Sequence, residues 1–270
     1  MSTRIRLARR ALRRRGIGVL HLYVALVFFL LFAPLGVLVL FSFASSGDMR
    51  FPITGLTLHW YRAVFADSSV LSGILTSLEV AIATGLIVTL VATPAAIVLN
   101  RRRFRGSGLL SGLILAPAAL PGIVIGVALL NYFGDTGLTL SRLTVTVGQV
   151  VYCLPFFYLI VSARLRHFDP LLEEAATDLG AGPWQRFRRV IAPLTAPVIL
   201  GAALVVLALS WDEFQITFFT IGDQSTLPLV IWSRARKVID PSVNAIGTLM
   251  IAGSLVIVLI TRRFIVESYA

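Results

Sequence analysis

A chain of 270 residues that is 57% hydrophobic and only 14% charged is not an ordinary soluble domain, which carries about 25% charged side chains. The mean hydropathy of +0.88, with long apolar runs along the whole length, marks an all-α polytopic membrane protein. The net charge of +11 raises nucleic acid as a partner, but the placement of the basic residues makes it a topology signal, and the single cysteine, Cys153, excludes an intrachain disulfide.

The first residues, rich in arginine and followed by an apolar stretch, resemble a signal peptide. The run over Leu20–Phe43 exceeds an h-region, however, and no small-residue cleavage site ends it, so it is expected to be a retained first span. Residues 44–69 then hold Leu56, Trp60, Tyr61, Val64 and Phe65, a short amphipathic pattern suited to the outer interface. Further windows of about 20 apolar residues follow at Val70–Leu99, Leu109–Phe133, Leu143–Ala163, Leu194–Phe219 and Val243–Ile260. The second window is overlong and is expected to tilt or project into water. Pro117, Pro121 and Pro155 lie inside spans, where each removes a backbone hydrogen bond and promotes a kink. Between the last two spans, residues 221–242 carry turn-like Gly222–Asp223 and Asp240–Pro241 pairs. The expectation is one six-span membrane domain, residues 1–270, without a soluble module.

Orientation follows from the basic residues. Eighteen of the 24 lie in the N-terminal segment, the loop after span 2, the loop after span 4 and the C-terminal tail. The other side holds Arg50, Arg62, Arg142, Arg234, Arg236 and Lys237. Both termini are therefore expected in the cytoplasm.

The cytoplasmic loop at residues 166–193 is the most informative stretch. Asp169 suits a helix N-cap, Pro170 the first helical position, and Glu173 and Glu174 the positive end of the helix dipole. Leu172, Ala175, Ala176 and Leu179 fall on one stripe, and Gly180 stops the helix. Gly182–Pro183 opens a second short helix with Trp184, Phe187, Val190 and Ile191 on its apolar face. Periodicity alone leaves two readings open, packing beneath the bundle and docking to another protein.

The residues themselves resemble a known signature. Glu174, Ala175 and Ala176, then Gly180, then Val190, Ile191, Ala192 and Pro193 match the EAA pattern of ABC importer permeases, with valine and alanine in place of its isoleucine and leucine. The resemblance extends to LTLHWYRAVF (Leu56–Phe65), the turn Arg103–Gly106, PAALPGIVIG (Pro117–Gly126), SWDEF (Ser210–Phe214) and the stretch Leu227–Thr248. These segments are similar to the spermidine/putrescine-type branch, and within it to the second permease of the pair.

The resemblance implies the type I permease fold of ABC importers, in the bacterial inner membrane, with a homologous second permease. It further implies two ATPase subunits that hold the ATP and Mg, and an extracytoplasmic solute-binding protein. It makes Glu174, Ala175, Ala176, Gly180, Trp184, Phe187 and Pro193 the ATPase-docking loop. Glu174 would be the charged contact, Gly180 would allow the turn, and Trp184 and Phe187 would fill the ATPase cleft. Branch members also serve iron, phosphonates or opines, so the substrate is open at this point.

Three acids fall within spans, where carboxylates are costly and mark functional sites. Glu79 lies near the outer start of its span and reads as structural. Asp212 and Glu213, beside Trp211, lie about 27 Å along span 5, towards its outer side, and are candidates for a substrate pathway that favours a polyamine. A structural pair bonding to a neighbouring helix is the competing reading, because adjacent residues on a helix diverge. The histidines have no metal-ligand spacing, and Lys237, the only lysine, sits in no phosphate-binding loop. No catalytic residue, metal or cofactor is expected on this chain, and ATP hydrolysis is assigned to another polypeptide. An ion-coupled secondary transporter is the alternative from a different class, although ion sites and internal repeats are not visible.

Overall fold

The computed structural model describes residues 2–47, 49–101, 104–167, 169, 171–237 and 241–266, with side chains from residue 20 to residue 262. Among the described residues there is no strand, only an isolated antiparallel bridge between Ala44 and Leu56. The helices are α1 (Ser2–Ser42), α2 (His59–Ala66), α3 (Ser68–Arg101), α4 (Ser107–Leu115), α5 (Gly122–Asp135), α6 (Arg142–Arg166) and α7 (Leu171–Asp178). They continue as α8 (Pro183–Arg186), α9 (Ala192–Trp211), α10 (Gln215–Thr220), α11 (Leu227–Ala235) and α12 (Pro241–Val266). Helix α8, a π turn at Phe187–Ile191 and α9 run on as one helix, Pro183–Trp211.

Among the described residues five helices are long and apolar enough to cross a membrane, and the bent pair Ser107–Ala119 with Gly122–Asp135 makes a sixth span when taken as one. The predicted kink is far sharper than a proline bend, with 105° between the two halves. Leu120 precedes Pro121, is forced out of the helical region, and sits extended at φ −99°, ψ 137°, which ends the first half. The arginines put the ends of α3 and α6 on one side, so the bent pair must make the intervening crossing. Pro155, by contrast, lies within an unbroken α6.

Two units make up the chain, Met1–Val64 with Ile239–Thr248 and Phe65–Val238 with Leu249–Ala270. In the first, α1 extends the predicted span back to Ser2, and its apolar stretch Leu20–Ser42 is almost wholly exposed. The predicted amphipathic segment forms α2. Trp60 Nε1 donates to the Ala44 carbonyl at 2.8 Å, the Ser42 and Tyr61 hydroxyls are 2.7 Å apart, and Val64 is buried.

In the second unit α3, α6 and α9 pack around a core containing Val88, Ala92, Phe157, Val161, Ala202 and Val206. Cys153 is a buried free thiol in that core. Helix α3, at 34 residues or about 51 Å, exceeds the roughly 30 Å hydrocarbon thickness, as its overlong window predicts. Helix α10 crosses α5 at Gly126, where a Cβ would stand 2.9 Å from Phe219 Cδ2 and 3.1 Å from the Gln215 carbonyl oxygen, so any larger residue would push the two helices apart by a few tenths of an ångström.

The outward segment at 221–242 is more ordered than its turn signals suggest. Gly222 makes a turn at φ +72°, and α11 then packs on α3, with Leu227 N–H donating to Ser77 Oγ at 2.9 Å. The second turn signal, Asp240, lies outside the described residues. Asp67 ties this corner together. It accepts from the Ser69 backbone N–H (2.8 Å) and Ser69 Oγ (2.6 Å), and pairs with Arg234 (2.5 Å). The Ser69 hydrogen bonds, aided by Arg234, hold its carboxyl below the usual range, at about 2 rather than 3.8. Because the folded value is depressed, the anchor's stabilisation is full above about pH 4 and is lost as pH falls towards 2. Thermal melts of the purified protein over that window are expected to lose more stability than those of an Asp67→Asn variant, which lacks this titration.

Candidate functional site

Two places collect the residues that the sequence singled out, one at the cytoplasmic end of the second unit and one along α9. At the first, Asp169 caps α7, accepting from Leu171 N–H at 3.0 Å, while Pro170 lies outside the described residues. Gly180 ends the helix at φ +79°. Its N–H donates to the Thr177 carbonyl (2.8 Å), and Ala181 N–H donates to the Ala176 carbonyl (2.9 Å). This pair of bonds is the Schellman stop, whose left-handed residue is free of strain only as glycine.

The expected second short helix is not separate. Pro183 opens the helix that runs on to Trp211, so span 5 starts far earlier than Leu194. Pro193 supplies a physical reason for the π turn before it. Without an N–H and with a ring that crowds the preceding turn, it favours a locally wider helix, and Ala192 N–H bonds back to the Phe187 carbonyl.

The amphipathic face of α7 points the opposite way from a packing helix. Its polar side is clamped to the bundle: Glu173 pairs with Arg101 of α3 at 2.8 Å, and Arg186 donates to Thr177 Oγ1 at 2.9 Å. Its apolar side is open, with Leu171 65%, Leu172 47% and Leu179 88% exposed, and Trp184 next to it 69% exposed. Glu174, Ala175 and Pro193 are also exposed, while Ala176 is half-buried. Phe187 departs from its expected place. It stacks on Trp184 at 5.5 Å but is half-buried against the core, so Trp184 alone of the two rings projects.

The second place is a groove of about 900 Å³ between α9 and α12, lined by Tyr152, Asp212, Glu213, Gln215, Ser254 and Arg262 among others. Span 5 does not continue to Phe219. The helix stops at Trp211, a break follows, and α10 starts at Gln215. Asp212 and Glu213 are therefore not consecutive helical residues, and both reach the groove.

Their surroundings differ. Glu213, 9% exposed, is an N-terminal cap: its Oε1 accepts from Ile216 N–H (2.7 Å), and its Oε2 accepts from Thr217 N–H (2.9 Å) and Thr217 Oγ1 (2.7 Å). Gln149 extends this network, donating to Thr217 Oγ1 at 2.9 Å and accepting from Ser210 Oγ. Among the described residues Asp212 accepts only from Ser254 Oγ, at 3.1 Å to each oxygen, and otherwise faces the groove. Ser254 lies eight residues before Arg262 on α12, about 12 Å of helix. Trp211 turns away, with its ring 3.2 Å from the position a Cβ on Gly253 would take. Glu79 pairs with Arg142 at the exposed outer end.

Sequence reasoning missed Gln149, Ser254 and the Arg101–Glu173 clamp. A lone amide in an apolar span was the available signal for Gln149. The other two join residues far apart in the chain.

A family model described as "binding-protein-dependent transport system inner membrane component" matches residues 89–265. The spermidine/putrescine transport system permease protein PotC of Escherichia coli (strain K12) is 32% identical over 243 residues, covering 89% of this chain and 91% of that protein. The putrescine transport system permease protein PotI of the same strain is 34% identical over 236 residues, covering 83% and 82%. Among solved structures, a bacterial ABC transporter involved in import of the acidic polysaccharide alginate superposes with a TM-score of 0.72 at 17% identity, covering 94% of this chain and 97% of that one.

Proposed function

We propose, because this chain belongs to the family of binding-protein-dependent transport system inner membrane components, that it is the permease subunit through which an ATP-driven importer passes polyamines. The observation that carries the mechanism is the reversed amphipathicity of α7, whose polar face is clamped to α3 while its leucines face outward. An exposed apolar stripe on the cytoplasmic side calls for a protein that covers it. We assign that role to an ATPase subunit, with ATP and Mg held there.

Force has a direct route inward. The docking end and Asp212 are the two ends of one 29-residue helix, about 43 Å long. Movement of α7 pulls α3 through Arg101–Glu173 and turns the long helix through the Gly180–Pro183 corner. The Asp212 groove would then open alternately to either side. The carboxylate attracts an ammonium group and repels a phosphonate, which favours a polyamine over the anionic solutes of the branch. A second permease, homologous to this one, would supply the facing wall, two ATPases the drive, and an extracytoplasmic receptor the substrate.

Purification of the tagged chain from its native membrane tests the assembly. Recovery of a second permease, an ATPase and a polyamine-loaded receptor is the expected result. A chain that comes out alone, with transport insensitive to Gly180→Trp, would overturn it.

A further inference from the structure

Just beyond Asp212 the chain gathers three aromatic rings that the coupling scheme does not use. Phe214 lines the groove and stands 5.7 Å from both Phe218 and Trp232, which meet edge to face at 5.1 Å. The sequence places Phe214 and Phe218 one helical turn apart, and Trp232 and Arg236 likewise, so each pair shares a face. Phe214 is anchored against the small core of Val80, Val145, Ile221 and Leu229. Phe218 and Trp232 are partly exposed, at 42% and 36%, so both keep a free edge.

The second observation concerns charge. The Arg236 guanidinium lies over the Trp232 ring, 4.7 Å from its centroid. An aromatic face attracts a cation through its quadrupole, and this one already holds a cation from its own chain. Phe214 lines the same groove as Asp212, and the other two rings adjoin it from the side of α10 and α11.

We infer that Phe214, Phe218 and Trp232 form a cation-accepting subsite on the outer side of Asp212. An elongated alkyl-ammonium substrate would rest there after leaving the receptor, displacing Arg236 and passing on to the carboxylate. The inference rests on the polyamine reading and adds a place and a chemistry to it. Aromatic faces make the subsite tolerant of chain length, while selecting for positive charge.

The test uses the complete importer reconstituted with saturating receptor and spermidine as probe, with uptake and ATP hydrolysis measured together. Trp232→Leu is expected to lower uptake about fivefold while ATP hydrolysis stays within about twofold, with Trp232→Phe between it and wild type. Arg236→Ala, which removes the resident cation, is expected to raise uptake about twofold, and to do nothing in the Trp232→Leu background. A merely structural role for Trp232 would lower uptake and hydrolysis together and leave Arg236→Ala without effect, which overturns the subsite. Wild type importing spermidine with Trp232→Leu equal to it overturns the subsite alone. Wild type importing no polyamine overturns the substrate reading, and the subsite with it.

Discussion

Replacing Leu172 and Leu179 together by aspartate is expected to abolish ATP-driven uptake while the chain still inserts and accumulates. Both side chains are exposed on the isolated subunit, at 47% and 88%, so they contribute little to its own stability. Once covered by an ATPase, the two leucines contribute about 3 kcal/mol of burial between them, Leu172 being half-buried already, and a carboxylate in either place would also be desolvated. The pair then weakens docking by roughly 4 kcal/mol, about a thousandfold. Co-purification of the ATPase with the variant, alongside membrane abundance, reads this out. Retained ATPase at wild-type stoichiometry would mean that the stripe is covered by something else.

The second large effect separates two neighbouring acids. Asp212→Asn is expected to leave abundance unchanged, since its partner Ser254 can bond an amide as well. It should lower polyamine uptake about thirtyfold, the worth of a charge-assisted bond of about 2 kcal/mol. Glu213→Ala is expected to do the reverse. It orphans the N–H groups of Ile216 and Thr217 and the Thr217 hydroxyl, a buried loss of about 4 kcal/mol that removes the protein from the membrane. Glu213→Gln keeps one acceptor oxygen and should partly restore abundance. Quantitative blotting and uptake on the same membranes decide it. Equal behaviour of Asp212→Asn and Glu213→Ala would contradict the division of roles.

Much of this arrangement is legible in the amino-acid sequence alone. Apolar runs located the spans, arginines their direction, and Asp169 and Gly180 the ends of α7, because each of these signals is local. The orientation of α7 was not legible. Its stripe of Leu172, Ala175, Ala176 and Leu179 states that one face is apolar, but which face meets the bundle depends on Arg101, some 70 residues away in sequence. Span 5 departs from its expected course for a related reason. The composition of Leu194–Phe219 is helical throughout, and the break after Trp211 exists because Glu213 caps a new helix with help from Gln149 on α6. A cap inside an apolar run leaves little trace in hydropathy. The same break lets Asp212 and Glu213 share a groove, which the divergence of adjacent helical residues argued against.

The central claim is that this permease passes a polyamine when an ATPase drives it. Proteoliposomes carrying the complete complex, with receptor outside and ATP inside, should accumulate radiolabelled spermidine, and Asp212→Asn should lower that uptake about thirtyfold. Accumulation without ATP, or ATP-dependent uptake of an anionic solute with spermidine ignored, would contradict it.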